Sequence, residues 1–260
     1  MTLHTRRTFV QTVTAGAAMG SLRGGEKTLG MIFPPADYQV PPEAAKMYPS
    51  GVRFLAVGVG LERMTPEGYD KVIGKIVPAA EGLAQQGANA IALMGTSLSF
   101  YKGAAFNRQL AESIHKATGL PSTTMSNGIV EGLRKVGGKR IAVATAYVDE
   151  VNRRLQTFLE ESGFEVLTIK GLGIERFEDA PPVTQEGLTK FSIGVWEASR
   201  KADAMLISCG ALRTLEILAP IEERCKIPVV SSLPHALWAG VRLLGVSGKA
   251  AGFGSLLAQG

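Results

Sequence analysis

The sequence predicts an α/β protein of two pseudo-symmetric doubly wound parallel-sheet domains with the active site in the cleft between them. From Thr28 onward, short and continuously apolar runs alternate with longer amphipathic stretches. That is the pattern of parallel strands buried on both faces by crossover helices. The chain also repeats itself. Ala88-Asn89-Ala90-Ile91-Ala92-Leu93-Met94-Gly95-Thr96-Ser97-Leu98 returns as Ala202-Asp203-Ala204-Met205-Leu206-Ile207-Ser208-Cys209-Gly210-Ala211-Leu212. Leu120-Pro121-Ser122-Thr123-Thr124 returns as Ile227-Pro228-Val229-Val230-Ser231, and each is followed by Gly-x-Arg, at Gly132-Leu133-Arg134 and Gly240-Val241-Arg242. Finally, 260 residues at 45% apolar composition can bury two cores of ordinary domain size.

Strands are expected over Leu29 to Phe33, Arg53 to Val57, Ala90 to Met94, Arg140 to Ala144, Glu165 to Ile169, Ala204 to Ser208 and Val229 to Ser231. Helices are expected over Pro66 to Gln86, Phe106 to Thr118, Ser126 to Val136, Val148 to Ser162, Thr184 to Ala198, Leu212 to Lys226 and Pro234 to Leu244. Thr65-Pro66-Glu67 sets a capping hydroxyl before a first-turn proline, and Gly119 and Gly163 fall where helix-terminating glycines belong. The opening strands of the halves match as well, Leu29-Gly30-Met31-Ile32-Phe33-Pro34-Pro35 against Ile141-Ala142-Val143-Ala144-Thr145-Ala146-Tyr147. We therefore divide the chain into a leader or tail, 1–27, a first α/β domain, 28–135, completed by 238–260, and a second, 136–237.

The leader resembles a twin-arginine export signal. Thr5-Arg6-Arg7-Thr8-Phe9-Val10-Gln11 precedes a weakly apolar stretch, with Ala15-Gly16-Ala17 as a small-residue cleavage site. It implies a periplasmic protein; a disordered basic tail on a cytoplasmic protein is the alternative. The formal charge of +5 owes much to this segment: setting aside Arg6, Arg7, Arg23, Lys27 and Glu26 leaves 24 basic against 22 acidic side chains. With no basic run elsewhere, that near-balance excludes nucleic acid as the expected partner. No apolar run reaches the ~18 residues of a membrane span.

His4, His115 and His235 show no metal-ligand spacing, and no strand is followed by a glycine-rich phosphate loop, so neither a metal nor a nucleotide cofactor is expected. Cys209 and Cys225 read as free thiols, because one follows a buried-type strand and the other lies in the charged Glu222-Glu223-Arg224-Cys225-Lys226. Cys225 is structural. The oligomeric state is open, with a monomer the expectation.

In doubly wound sheets, ligands bind beyond the carboxyl ends of the strands. Pro34, Thr96, Tyr147 and Cys209 all sit just past strand ends, so a pseudo-twofold cleft gathers them. Cys209 occupies the repeat position that Gly95 fills in the first half. A lone cysteine after a buried strand is by default a small core hydrophobe. Thr96 and Ser97 read equally as helix caps, and Tyr147 and Tyr69 as packed aromatics.

Several strings tip these readings toward function. Gly30-Met31-Ile32-Phe33-Pro34-Pro35, Thr65-Pro66-Glu67-Gly68-Tyr69-Asp70, Met94-Gly95-Thr96-Ser97-Leu98-Ser99-Phe100-Tyr101, Gly103-Ala104-Ala105-Phe106-Asn107, Ala144-Thr145-Ala146-Tyr147 and Ser208-Cys209-Gly210 resemble the arylmalonate decarboxylase family of the aspartate/glutamate racemase superfamily. The resemblance runs from about Thr28 to near the C-terminus. It implies cofactor-independent decarboxylation of a disubstituted aryl or alkenyl malonate through an enediolate that Cys209 protonates, giving a chiral monocarboxylic acid. It assigns Thr96, Ser97, Tyr147, Gly210 and Tyr69 to a dioxyanion hole around a small dicarboxylate. Leu61, Met64, Leu98, Phe177 and Ala180, with Pro34 and Pro35 at the edge, are assigned to an apolar pocket. Met64 and Phe177 stand where the family carries valines and Ala180 where it carries methionine. Racemases and maleate isomerases of the superfamily carry cysteine at the position of Gly95. Its absence here implies one proton carrier and therefore an enantioselective product. The rivals are a one-cysteine racemase or isomerase of the maleate isomerase type, and a non-catalytic exported protein that binds small acids.

Overall fold

The computed structural model describes residues 26–176, 179–180 and 182–260. The leader reading and Phe177 lie outside the described residues. In chain order the first half contains β1 (Lys27–Phe33), α1 (Pro42–Met47), β2 (Val52–Gly58), α2 (Pro66–Val72), α3 (Ile76–Gln85), β3 (Ala90–Leu93), α4 (Thr96–Phe100), α5 (Gly103–Thr118), β4 (Ser122–Thr124) and α6 (Met125–Lys135). The remainder contains β5 (Arg140–Thr145), α7 (Asp149–Glu161), β6 (Glu165–Gly171), α8 (Gln185–Glu197), β7 (Ala204–Ser208), α9 (Leu218–Cys225), β8 (Val229–Ser231), α10 (Ser232–Leu243) and α11 (Ser255–Gln259). The strands form two parallel four-stranded sheets of identical order, β2-β1-β3-β4 and β6-β5-β7-β8. The sequence repeat is thus a repeat of sheet topology.

The central strands β3, β5 and β7 are buried along nearly their whole length, as their unbroken apolar runs require. β4 is a strand that the sequence pattern conceals. Ser122-Thr123-Thr124 is polar because this short edge strand ends by capping α6: the Thr124 hydroxyl accepts from the Asn127 N–H at 3.0 Å and donates to Asn107 at 2.6 Å. The single helix expected over 66–86 is divided by a tight turn over Ile73–Lys75. Pro78 has no N–H to bond the carbonyl four residues back, at Gly74. The stretch 212–226 is shortened in the same way. It opens with a tight turn at Leu215–Ile217, and Pro220 withholds a bond from Glu216. Thr65 caps α2 as expected, accepting from the Gly68 N–H, and α5 ends on left-handed Gly119.

α10 follows the last strand of the second sheet but packs against α6 and against β3 and β4 of the first. The arginines of the repeated Gly-x-Arg are used at the surface: Arg134 donates to the Ser162 carbonyl, and Arg242 lies over the Trp238 ring.

Candidate active site

Four strand ends meet in one pocket of about 340 Å³. β1 delivers Pro34 and Pro35, β3 leads through Met94 into Gly95, Thr96 and Ser97, β5 leads to Tyr147, and β7 leads to Cys209, Gly210 and Ala211. Phe33 and Tyr38 complete the wall.

One pair of glycines lets the loops reach this point. Gly58 closes β2 opposite Phe33, and a Cβ there would stand 2.0 Å from the Pro35 carbonyl oxygen and 2.1 Å from that of Ala36. Gly171, at the matching end of β6, faces Thr145, and its Cβ would stand 1.9 Å from the Tyr147 carbonyl oxygen. In both halves the loop leaving the central strand crosses its neighbour where only glycine leaves room. Tyr147 is then pinned. Its N–H donates to Thr145 Oγ1 at 3.1 Å, Thr145 donates to Asn152 at 2.6 Å, and the Asn152 amide donates to the Tyr147 carbonyl at 3.3 Å.

Cys209 takes a backbone φ of 142°, a region that residues with a Cβ rarely adopt. Such a conformation costs about 1–3 kcal/mol, and surrounding structure must enforce it. The enforcement is visible: the Cys209 N–H donates to Ser232 Oγ at 3.1 Å, and its carbonyl accepts from the Leu212 N–H at 3.2 Å. The thiol is buried at 3% exposure yet faces the pocket. Burial pushes its pKa up to about 11, with the Ala211 N–H, the Tyr147 hydroxyl and the Leu212 N–H offsetting part of the rise. At neutral pH it is a protonated thiol.

Neither Thr96 nor Ser97 caps a helix. α4 has Gly95 at its N-cap and no side-chain capping bond, and the first N–H groups of a helix find no acceptor within it. The Thr96 hydroxyl donates to Met125 Sδ at 2.7 Å, a weakly accepting partner that a carboxylate would displace. Gly210 is not held to glycine by its neighbours, since a Cβ would meet only the flexible end of Met125 at 3.1 Å. Tyr147 is fully buried, and its hydroxyl is 3.5 Å from that of Ser208, which donates to it. Burial, and secondarily the proximity of Cys209, raise its pKa well above the ordinary phenol value.

The other expected residues lie behind this wall rather than on it. Tyr69 is fully buried against Tyr101, with ring centroids 4.9 Å apart. Burial raises its pKa. Ser97 lies near enough to offset part of this, but no hydrogen bond of normal geometry forms and the hydroxyl has no partner. Leu61, Met64, Leu98 and Ala180 are all buried. Leu98 lies directly behind Gly95. Leu61 and Met64 belong to a strap between the halves: Leu61 N–H donates to the Pro34 carbonyl at 2.7 Å, Met64 N–H donates to the Glu175 carbonyl at 2.8 Å, and Arg63 pairs with Glu175. Pattern reading missed Phe33, Tyr38, Met94 and Ala211 on the wall, and Met125 behind Thr96. Tyr38 gives no strand-end signal because it enters from the loop beyond Pro34-Pro35.

His235 is removed from the pocket. It is 1% exposed, its Nδ1 accepts from the Ser231 N–H at 2.9 Å, and Nε2 has no partner. Burial lowers its pKa to about 4. The unfolded chain therefore takes up a proton near pH 6.5 that the folded chain refuses until about pH 4, so stability falls as pH drops through that window, by about 3 kcal/mol in all. Urea titrations at pH 7 and pH 5 are expected to show the wild type losing about 2 kcal/mol more than His235→Gln. Cys225 is a buried free thiol at the end of α9. Among the described residues no group of three or more histidine, cysteine, aspartate or glutamate side chains could hold a metal ion, and no helix is long and apolar enough to cross a membrane.

Two matching parallel sheets, with one buried thiol facing a hydroxyl-lined cradle across their shared cleft, define the class of two-domain α/β proteins in which arylmalonate decarboxylases and maleate isomerases are found. Residues 29–257 match the family model described as arylmalonate decarboxylase, and the chain belongs to that family. It is 46% identical over 230 residues to arylmalonate decarboxylase of Bordetella bronchiseptica, covering 88% of this chain and 95% of that one. A crystal structure of a liganded arylmalonate decarboxylase double mutant, glycine to cysteine and cysteine to serine, superposes with a TM-score of 0.88 at 45% identity, covering 90% of this chain and all of the other. The maleate isomerase Iso from Pseudomonas putida S16 shares the fold, with a TM-score of 0.81 at 20% identity over 89% of this chain and 98% of that one.

Proposed function

We propose that this protein decarboxylates a disubstituted malonate bearing an α-aryl or α-alkenyl group, without a cofactor, and releases one enantiomer of the monocarboxylic acid. The observation that carries the reading is a single protonated thiol, Cys209, sharing a pocket with Thr96, Ser97 and Tyr147 while Gly95 leaves the matching position in the other half without a proton carrier.

Cleavage of the bond between the α-carbon and the departing carboxylate releases neutral CO₂ and leaves its electron pair on the α-carbon. That pair delocalises into the surviving carboxylate as an enediolate. The hydroxyls of Thr96, Ser97 and Tyr147, with the N–H groups of Ser97 and Gly210, bear the two oxyanions. Each preorganised donor of this kind is worth roughly 3 kcal/mol where charge develops. The apolar Pro34-Pro35 side disfavours the departing carboxylate relative to CO₂. Cys209 then transfers its Sγ proton to one face of the α-carbon, and the resulting thiolate regains a proton from water. A donor with a pKa near 11 remains a far stronger acid than the carbon it protonates, so burial keeps the thiol loaded without stopping the transfer.

Turnover is tested with phenylmalonate. The expected result is stoichiometric CO₂ and phenylacetate from purified protein without added metal or organic cofactor. Tight binding of the dicarboxylate with no CO₂ would replace this reading with that of an acid-binding protein.

A further inference from the structure

We propose that Tyr38, stacked on Phe33, is the specificity-determining wall of this site, limiting the α-substituent of the substrate to a single planar ring. The inference rests on the reaction assigned above and names the shape of substrate that it admits. The two rings lie with centroids 3.9 Å apart and planes 15° from parallel. Phe33 is buried at the end of β1, and Tyr38 is half-buried on the loop that follows. Tyr38 borders two hollows at once. One is the pocket of about 340 Å³ that contains Cys209, and the other is an outer groove of about 1130 Å³ reaching Val40, Leu212 and Arg213. The two share Pro35, Tyr38, Gly210 and Ala211, so the Tyr38 ring is the removable part of a partition that is otherwise mostly backbone and small side chains.

The placement is fixed from below. The Pro34–Ala36 turn crosses Gly58 at a distance that permits no side chain, which sets where the Tyr38 loop departs. The Tyr38 hydroxyl makes no hydrogen bond among the described residues, so the ring is held by stacking, and its truncation leaves no polar partner orphaned. A flat apolar face beside a thiol is suited to an arene lying parallel to it. A second fused ring would collide with the partition.

Binding of product-like acids tests this without relying on turnover. Phenylacetate and 2-naphthylacetate are titrated calorimetrically into wild type, Tyr38→Phe, Tyr38→Leu and Tyr38→Gly. Wild type and Tyr38→Phe are expected to prefer phenylacetate. Tyr38→Gly is expected to move the ratio of dissociation constants at least about tenfold toward the naphthyl acid, within the range over which apolar pockets discriminate size. Tyr38→Leu still covers Phe33, so it carries the same test, with a smaller shift, if the glycine variant does not fold. An unchanged ratio in both Leu and Gly variants overturns the proposal. So does an equal shift in Tyr38→Phe, which would assign the selectivity to the hydroxyl. CO₂ release from phenylmalonate by the wild type, measured alongside, separates failure of the decarboxylase reading from failure of the wall.

Discussion

Cys209→Ala is expected to lower CO₂-coupled product formation from phenylmalonate by ~10²–10⁴-fold, the usual contribution of a positioned proton donor. The melting temperature is expected to stay close to that of wild type. Both halves of this expectation have a physical basis. Alanine keeps the Cβ and therefore the strain at φ 142°, and the Ser232 bond to the backbone N–H is untouched. Only the acid is lost. Cys209→Gly should be as inactive but should relieve the strain, so its melting temperature is expected to match or exceed that of the alanine variant. A catalytic thiol that is loaded at rest also has a titration signature. Burial raises the pKa to about 11, so alkylation of Cys209 by iodoacetamide should rise toward pH 11 and not level off near the ~8.5 of a free thiol. Because activity requires the protonated form, it is retained as pH rises through ~8.5 and lost only as pH approaches the shifted value. Retained turnover in Cys209→Ala would remove the proton-donor assignment.

Gly95→Cys is expected to create a second proton carrier facing the first and to introduce racemisation of enantiopure 2-arylpropionates, accompanied by slower decarboxylation. Gly95 has an extended backbone conformation open to any residue, with φ −126° and ψ 101°. The obstacle is space: a Cβ would stand 2.8 Å from Pro34 Cγ and 3.1 Å from Leu98 Cβ. The proline ring and the short helix behind it must give way, which disturbs the same wall that faces the departing carboxylate. The melting temperature should therefore fall by a few degrees, consistent with about 1–3 kcal/mol of overpacking. Exchange of the α-proton with deuterated solvent reads the new function directly. Its absence in a folded variant would mean that positions 95 and 209 do not face a common carbon.

The sequence made the sheets legible because burial on both faces leaves an apolar run that nothing else in a soluble domain explains. Where the pattern misled, a local device was responsible. β4 spends its residues on capping and reads as a loop, although its repeat partner Val229–Ser231 reads as a strand. Pro78 and Pro220 break helices that the apolar spacing alone would continue. At the site, everything one step past a strand end was accessible to reasoning, and Pro34, Gly95, Thr96, Ser97, Tyr147, Cys209 and Gly210 meet in the pocket. Side chains arriving by another route were not. Tyr38 comes from a loop that is positioned by a missing Cβ at Gly58, and Met125 begins a helix packed behind α4. The strap that holds Leu61 and Met64 is made where Met64 meets Glu175. No spacing rule couples residues so far apart.

The central claim is that one thiol protonates one face of a planar intermediate. Decarboxylation of methyl(phenyl)malonate in deuterium oxide, followed by chiral separation and mass analysis of the 2-phenylpropionate, tests it most directly. The account predicts a single enantiomer carrying one deuterium at the α-carbon and no further exchange on prolonged incubation. A racemic product, or continued exchange of the α-position, would contradict it.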